Sequence, residues 1–233
     1  MIGKHFNDAR HKWRWYADSD RGLAALLIFL VLYIFVIYPV FGGENAAGGP
    51  VSIVFSLILV AGVVATSAHH AVRTGVVVLA ITGIASHWLN VFLSGRVDHM
   101  VSAGAAVLFF ALLTWFLSVR VFASPGPANI YHIMGAVAIY LVLGLMWSDA
   151  YLFIYLATPS AFRFDPGAPV FEPPASEMLY FSYVTLTTLG FGDITAVRPV
   201  ARSLVIMEGL VGQLYPAIVL ARLVTKYQGR AAK

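Results

Sequence analysis

The stretch TTLGFGDITA, residues 187–196, lies between long apolar runs yet carries no helical pattern. Its Gly190-Phe191-Gly192 core costs conformational entropy and leaves its amides without intrahelical partners. The surrounding composition makes this unusual. Of 233 residues, 60% are hydrophobic and only 11% charged, a balance that excludes an ordinary water-soluble domain. Several runs are long enough to cross about 30 Å of hydrocarbon at about 1.5 Å per residue. The chain therefore reads as an all-α integral membrane protein. It has no cysteine, so neither a disulfide framework nor a cysteine-ligated metal site is expected.

Six spans are predicted: Leu23–Phe41, Val51–Ala71, Thr74–Leu93, Val101–Phe122, Ile130–Leu156 and Pro199–Thr225. The run from Leu23 reads as an uncleaved first span rather than a signal peptide. Ahead of it, residues 1–22 are basic and aromatic, with Trp13, Trp15 and Tyr16, and suit either an interfacial helix or a solvated tail. Short loops follow: GGENAAGGP, the HHAVRT corner, SGRVDH and SPGPAN, the last closed to helix by Pro and Gly. If the N-terminus is cytoplasmic, six spans return the C-terminus to that side. Lys4, Arg10, Lys12, Arg14, Arg21, Arg73, Arg120, Arg222, Lys226, Arg230 and Lys233 then lie inside, and only Arg96, Arg163, Arg198 and Arg202 outside. That bias obeys the positive-inside rule. The expected location is a plasma or inner membrane, with lipids as partners.

Between the fifth and sixth spans the chain first runs through ATPSAFRFDPGAPVFEPPAS, read as an irregular outer turret. SEMLYFSYVTLTT then predicts a helix of about three turns, with Ser176 as N-cap and Glu177 favourably placed at its start. It is too short to span, so it enters from outside, stops at mid-depth, and returns through LGFGDITAVRP to Pro199. Irregular backbone is tolerated at such depth where it lines water. Thr188, Leu189, Gly190, Phe191 and Gly192 can offer consecutive carbonyl oxygens, with Gly190 and Gly192 permitting the required backbone angles. Leu189 and Phe191 are expected to pack behind the stack. Four copies around an axis would replace the hydration shell of a potassium ion.

TLTTLGFGD resembles the Thr-x-Gly-Tyr/Phe-Gly-Asp signature of the tetrameric potassium channel pore-loop superfamily, in the matching order of span, pore helix, filter and span. The Phe form is similar to the second pore loop of two-pore-domain potassium channels, although one loop is present here. The resemblance covers about residues 130–225. It implies a four-fold symmetric homotetramer with K+ held by the backbone carbonyls of Thr188, Leu189, Gly190 and Phe191. It also implies filter support from Asp193 and Tyr180. Leu189 replaces the commoner Val or Ile, Phe191 lacks a tyrosine hydroxyl, Tyr180 and Phe181 stand where Trp is frequent, and Val184 where some members carry Glu. A thinner cuff is the expected consequence.

In the sixth span, Gly212 and Pro216 are candidate gating positions or plain packing residues. A face through Gly209, Gln213, Pro216, Ala217 and Leu220 would line a cavity, Gln213 below Thr188. Glu208 lies about 13 Å down from Pro199, and an intramembrane carboxylate is a functional candidate by default. It reads either as a brace behind the filter, with Asp149 as partner, or as a protonated acid bonded to backbone or to Ser/Thr.

The fourth span has Arg120 alone, at its end. One charge crossing 100 mV is worth about 2.3 kcal/mol, which excludes a conventional voltage sensor. His69, His70 and Arg73 suit an interfacial corner, and His87 an interhelical bond. The expected organisation is a basic segment 1–22, a four-helix peripheral domain 23–122, a linker 123–129, a pore domain 130–225 and a tail 226–233. No nucleotide-binding motif, cofactor, nucleic-acid partner or soluble ligand domain is expected, and no nucleophile–base pair suggests an enzyme. The resulting expectation is a passive potassium-selective channel. Its alternatives are a weakly selective cation channel and a non-conducting scaffold or regulatory subunit.

Overall fold

A computed structural model describes residues 22–41, 49–66, 70–92, 95–123, 130–166 and 174–231. Segment 1–21 and His69 lie outside these residues, as do the side chains of His70, Arg73 and His87. Helix α1 (Gly22–Phe41) contains a π-helical stretch at Tyr33–Ile37. It is followed by α2 (Gly49–Thr66), α3 (His70–Phe92), α4 (Arg96–Ala123) and α5 (Ile130–Ala157). Next come a 3-10 turn (Pro159–Ala161), strand β1 (Phe162–Phe164), helix α6 (Ala175–Leu186), strand β2 (Ile194–Ala196) and α7 (Pro199–Ala231).

Among the described residues, four helices are long and apolar enough to cross a membrane: Gly22–Phe41, Arg96–Phe122, Ile130–Ala157 and Pro199–Arg222. Helices α2 and α3 carry shorter apolar stretches, Pro50–Ala65 and Thr74–Ala85. The mostly helical chain with these spans fits an all-α membrane protein.

Three boundaries differ from expectation. Helix α2 ends at Thr66 rather than Ala71, and α3 begins at His70 and so takes in most of HHAVRT. Helix α4 begins at Arg96 and absorbs most of SGRVDH, with Asp98 in the first turn, where the helix dipole favours an anion. The turret and filter exit are not wholly irregular. β1 and β2 pair antiparallel, with Arg163 opposite Thr195, and Asp165 N–H donates to the Asp193 carbonyl at 2.9 Å. Three-residue strands are too short to show a period in sequence.

One apolar core runs from α1 through α2–α5 to α6, centred on Leu26, Leu30, Ile58, Phe109, Phe110 and Ile139. Its most extensive helix pair is α4 with α5. These run antiparallel: Gly135 meets Val121 towards one end, while Gly104 faces Phe153 and Arg96 Nε donates to the Leu156 carbonyl (2.6 Å) at the other. A second cluster, by the C-terminal part of α5 and the start of α7, gathers Trp147, Tyr151, Phe162, Met178, Phe181 and Ala201.

Candidate pore-loop site

Helix α6 has 12 residues, about 18 Å at 1.5 Å each, too few to span. Its N-cap is Pro174, without a side-chain cap bond. Ser176 is therefore not the cap; it lies in the first turn and donates to Glu177 Oε2 at 2.8 Å. Pro174 serves because its missing N–H is one the helix start would leave unused. Glu177 does occupy the first turn.

The far end of α6 is held by its neighbours. Gly144 on α5 leaves room for the Tyr183 ring, and a β-carbon there would collide with it. The Tyr183 hydroxyl donates to the Leu141 carbonyl (2.6 Å), and Tyr140 donates to the Leu186 carbonyl (2.9 Å). On α7, Gly212 is buried with its α-carbon against that same Leu186 carbonyl, where any β-carbon would overlap the oxygen. The structure therefore gives Gly212 a close-approach role. Pro216 lies within α7, which stays helical through it, and Gln213, Pro216, Ala217 and Leu220 are exposed on the single chain.

From Thr187 the backbone leaves the helix. Leu189 N–H donates to the Val184 carbonyl (2.9 Å) and Thr188 N–H to that of Thr185 (2.9 Å). Every second residue is then left-handed: Thr188 at φ 61°, Gly190 at 57° and Gly192 at 83°. No atom lies within 4 Å of a β-carbon built on Gly190 or Gly192, so conformation rather than space calls for glycine. Thr188 has no such freedom; it is the one described non-glycine residue with positive φ, a conformation that costs about 1–2 kcal/mol. Leu189 and Phe191 are 62% and 66% exposed on the single chain, so most of each side chain is left uncovered by the rest of the chain.

Asp193 follows the filter. Its Oδ1 accepts from Ile194 N–H (3.1 Å), and its carboxylate interacts with the Tyr180 hydroxyl. Phe181 points the other way, 5.1 Å from Tyr151 and 5.8 Å from Phe162 between ring centroids.

Glu208 is fully buried. Its Oε2 accepts from Tyr151 Oη (2.5 Å) on α5, and its Oε1 lies 2.6 Å from Ser182 Oγ on α6. Ser182 Oγ is also 2.7 Å from the Gly144 carbonyl. Glu208 thus joins the three helices that surround the loop. Its partners are Tyr151 and Ser182 in place of the expected Asp149, which interacts electrostatically with Tyr33 and Tyr38 of α1. Helical spacing explains the split, because Asp149 and Tyr151 are two residues apart and so point about 200° apart around α5. Tyr140, Gly144, Tyr151, Ser182 and Tyr183 escaped the sequence reading. The signal available was a glycine inside an apolar span, which marks close approach without saying of what. Among the described residues, no group of three His, Asp or Glu side chains could hold a metal ion.

Residues 130–228 match a family model described as "Ion channel". The chain is also 32% identical over 99 residues to the two pore potassium channel c of Oryza sativa subsp. japonica, covering 42% of this chain and 20% of that one. The chain thus spans about a fifth of that relative's length. No solved structure matches. The family match takes in α5, the short helix α6, the loop that follows it and most of α7.

Proposed function

We propose that the chain is one subunit of a homotetrameric, potassium-selective channel with six spans and both termini cytoplasmic, conducting passively through the backbone of Thr188–Gly192. The observation that carries this reading is the alternation of left-handed residues at 188, 190 and 192. Reversing φ at every second residue turns successive carbonyls to one side, as a stack of oxygens replacing K+ hydration requires. Asp193 and Tyr180 support the filter's outer end, and Gly209, Gln213 and Pro216 face the cavity. Residues 23–122 form the peripheral domain and 130–225 the pore domain.

Assembly is favoured by what the single chain leaves bare. Only 11% of the α7 window is buried, and Ile206, Met207, Leu210 and Leu214 are exposed. Beside the loop, an apolar groove of about 780 Å³ lies between α1, α5 and α6, lined by Phe35, Tyr38, Tyr140, Tyr183 and Leu189. A neighbouring α7 would cover both surfaces.

Purified protein in liposomes under a potassium gradient tests the reading, with an equal sodium gradient and barium as blocker. Barium-sensitive potassium flux well above sodium flux is expected; absence of flux in the reconstituted tetramer would favour the non-conducting scaffold. A weakly selective channel is the second reading, favoured by Phe191, which has no hydroxyl and is 66% exposed on the single chain. Equal sodium and potassium fluxes would establish it.

A further inference from the structure

Ser182 Oγ lies within hydrogen-bond distance of two oxygens, the Gly144 carbonyl (2.7 Å) and Glu208 Oε1 (2.6 Å). A serine hydroxyl carries one proton and the carbonyl carries none. Two short contacts to one hydroxyl need two protons, and the second can come only from the carboxyl group. The other carboxyl oxygen, Oε2, is already an acceptor, from Tyr151.

We propose that Glu208 is a protonated, neutral carboxylic acid and acts as a positioning residue for the loop. Its Oε1–H donates to Ser182 Oγ, the Ser182 hydroxyl donates to the Gly144 carbonyl, and the Tyr151 hydroxyl donates to Oε2. This relay satisfies every member and ties α7 to α6 and α5. Loss of the proton leaves the Ser182 proton to serve only one of two oxygens, and the other pair meets with lone pairs opposed. The surroundings agree. Glu208 is bonded to Tyr151 of α5 and interacts electrostatically with Tyr140 of α5 and Tyr183 of α6. These titratable groups are all tyrosines, and no described cation appears among the groups that act on it. Tyr151 itself is walled by Trp147, Phe162 and Phe181, and a buried, unpaired carboxylate in such a setting is costly. The same proton makes the clamp sensitive to alkali. Releasing it loosens α6 four residues before Leu186, whose carbonyl leads into the filter.

The positioning role rests on the channel reading; the proton does not. Infrared spectroscopy of the protein in lipid at neutral pH should show a protonated carboxylic acid C=O band that disappears in E208Q. In S182A the band should remain but shift, since the acid has lost its acceptor; this secures the assignment if E208Q fails to assemble. A band unchanged in both variants, or no such band in the wild type, would overturn the proposal. In flux assays E208Q, whose amide repeats the neutral donor and acceptor pattern, should stay within about twofold of wild type, while E208A, which leaves buried partners unpaired, should lose about tenfold or more. Wild-type flux should fall on the alkaline side and E208Q flux should not. The same alkaline fall in both would overturn the positioning role. Absence of flux in every protein, wild type included, would remove the channel reading, and the positioning role with it, while the infrared band still decides the proton.

Discussion

Thr188 adopts a left-handed conformation that glycine would adopt without strain, so its side chain must contribute something a glycine could not. A hydroxyl facing the cavity end of the oxygen stack would do so. Gly190 and Gly192 are different, since their neighbourhood is open and only φ restricts them. Gly190→Ala should destabilise the loop by about 1–2 kcal/mol and abolish potassium flux while leaving the helical circular dichroism unchanged. An alanine variant with wild-type flux would separate the backbone alternation from conduction. Gly212 presents the opposite case, ordinary in conformation but with no room for a β-carbon. Because the obstacle is the backbone carbonyl of Leu186, Gly212→Ala should cost about 1–3 kcal/mol, read as a lower melting temperature in detergent. A variant that melts like wild type would return Gly212 to the role of a hinge.

At the scale of elements, α6 is a short helix whose last carbonyls would face the membrane interior unbonded. Tyr140 supplies a proton to Leu186, and the Thr187 hydroxyl supplies one to Tyr183 (2.6 Å). Tyr140→Phe keeps the ring, which stacks on Tyr215 at 5.8 Å, and removes only the donor. It should cost about 1 kcal/mol and raise sodium permeability relative to potassium as the base of the filter loosens; unchanged permeability ratios would show that the helix end needs no cap. The β1–β2 pair plays the corresponding part beyond the loop, joining the residues after Asp193 to those after Ala161. Antiparallel packing of α4 on α5 seats the first four helices against the segment that begins at Ile130. Arg222 on α7 adds a tie by donating to the Phe122 carbonyl of α4, with its guanidinium over the Phe122 ring.

The whole chain leaves its functional surfaces unfilled. Leu189 and Phe191 are mostly exposed on the single chain, and α7 is the least buried of the four spans. A single copy therefore leaves the loop after α6 and much of α7 uncovered, which is the physical case for the proposed assembly. Leu210→Trp, at an exposed position on α7, should weaken the assembly with little change in the fold of the subunit, measured by chemical cross-linking in lipid. Undiminished tetramer would place the interface on another face.

Composition and run length alone determined a membrane protein, since so few charges cannot solvate a chain of this size, and the residues themselves also showed a short helix followed by Gly-Phe-Gly between two spans. Positions of helices were legible for the same reason, except where a boundary rested on polar residues that a helix start also welcomes, as at Arg96 and His70. Which side chains meet across helices was not legible. Glu208 could be placed at a depth and on a face, but its partners come from residues 26 and 57 positions away, chosen by the crossing of α5, α6 and α7. Only the tertiary structure could decide between Asp149 and Tyr151, because two positions on one helix at nearly the same depth differ chiefly in the direction they face.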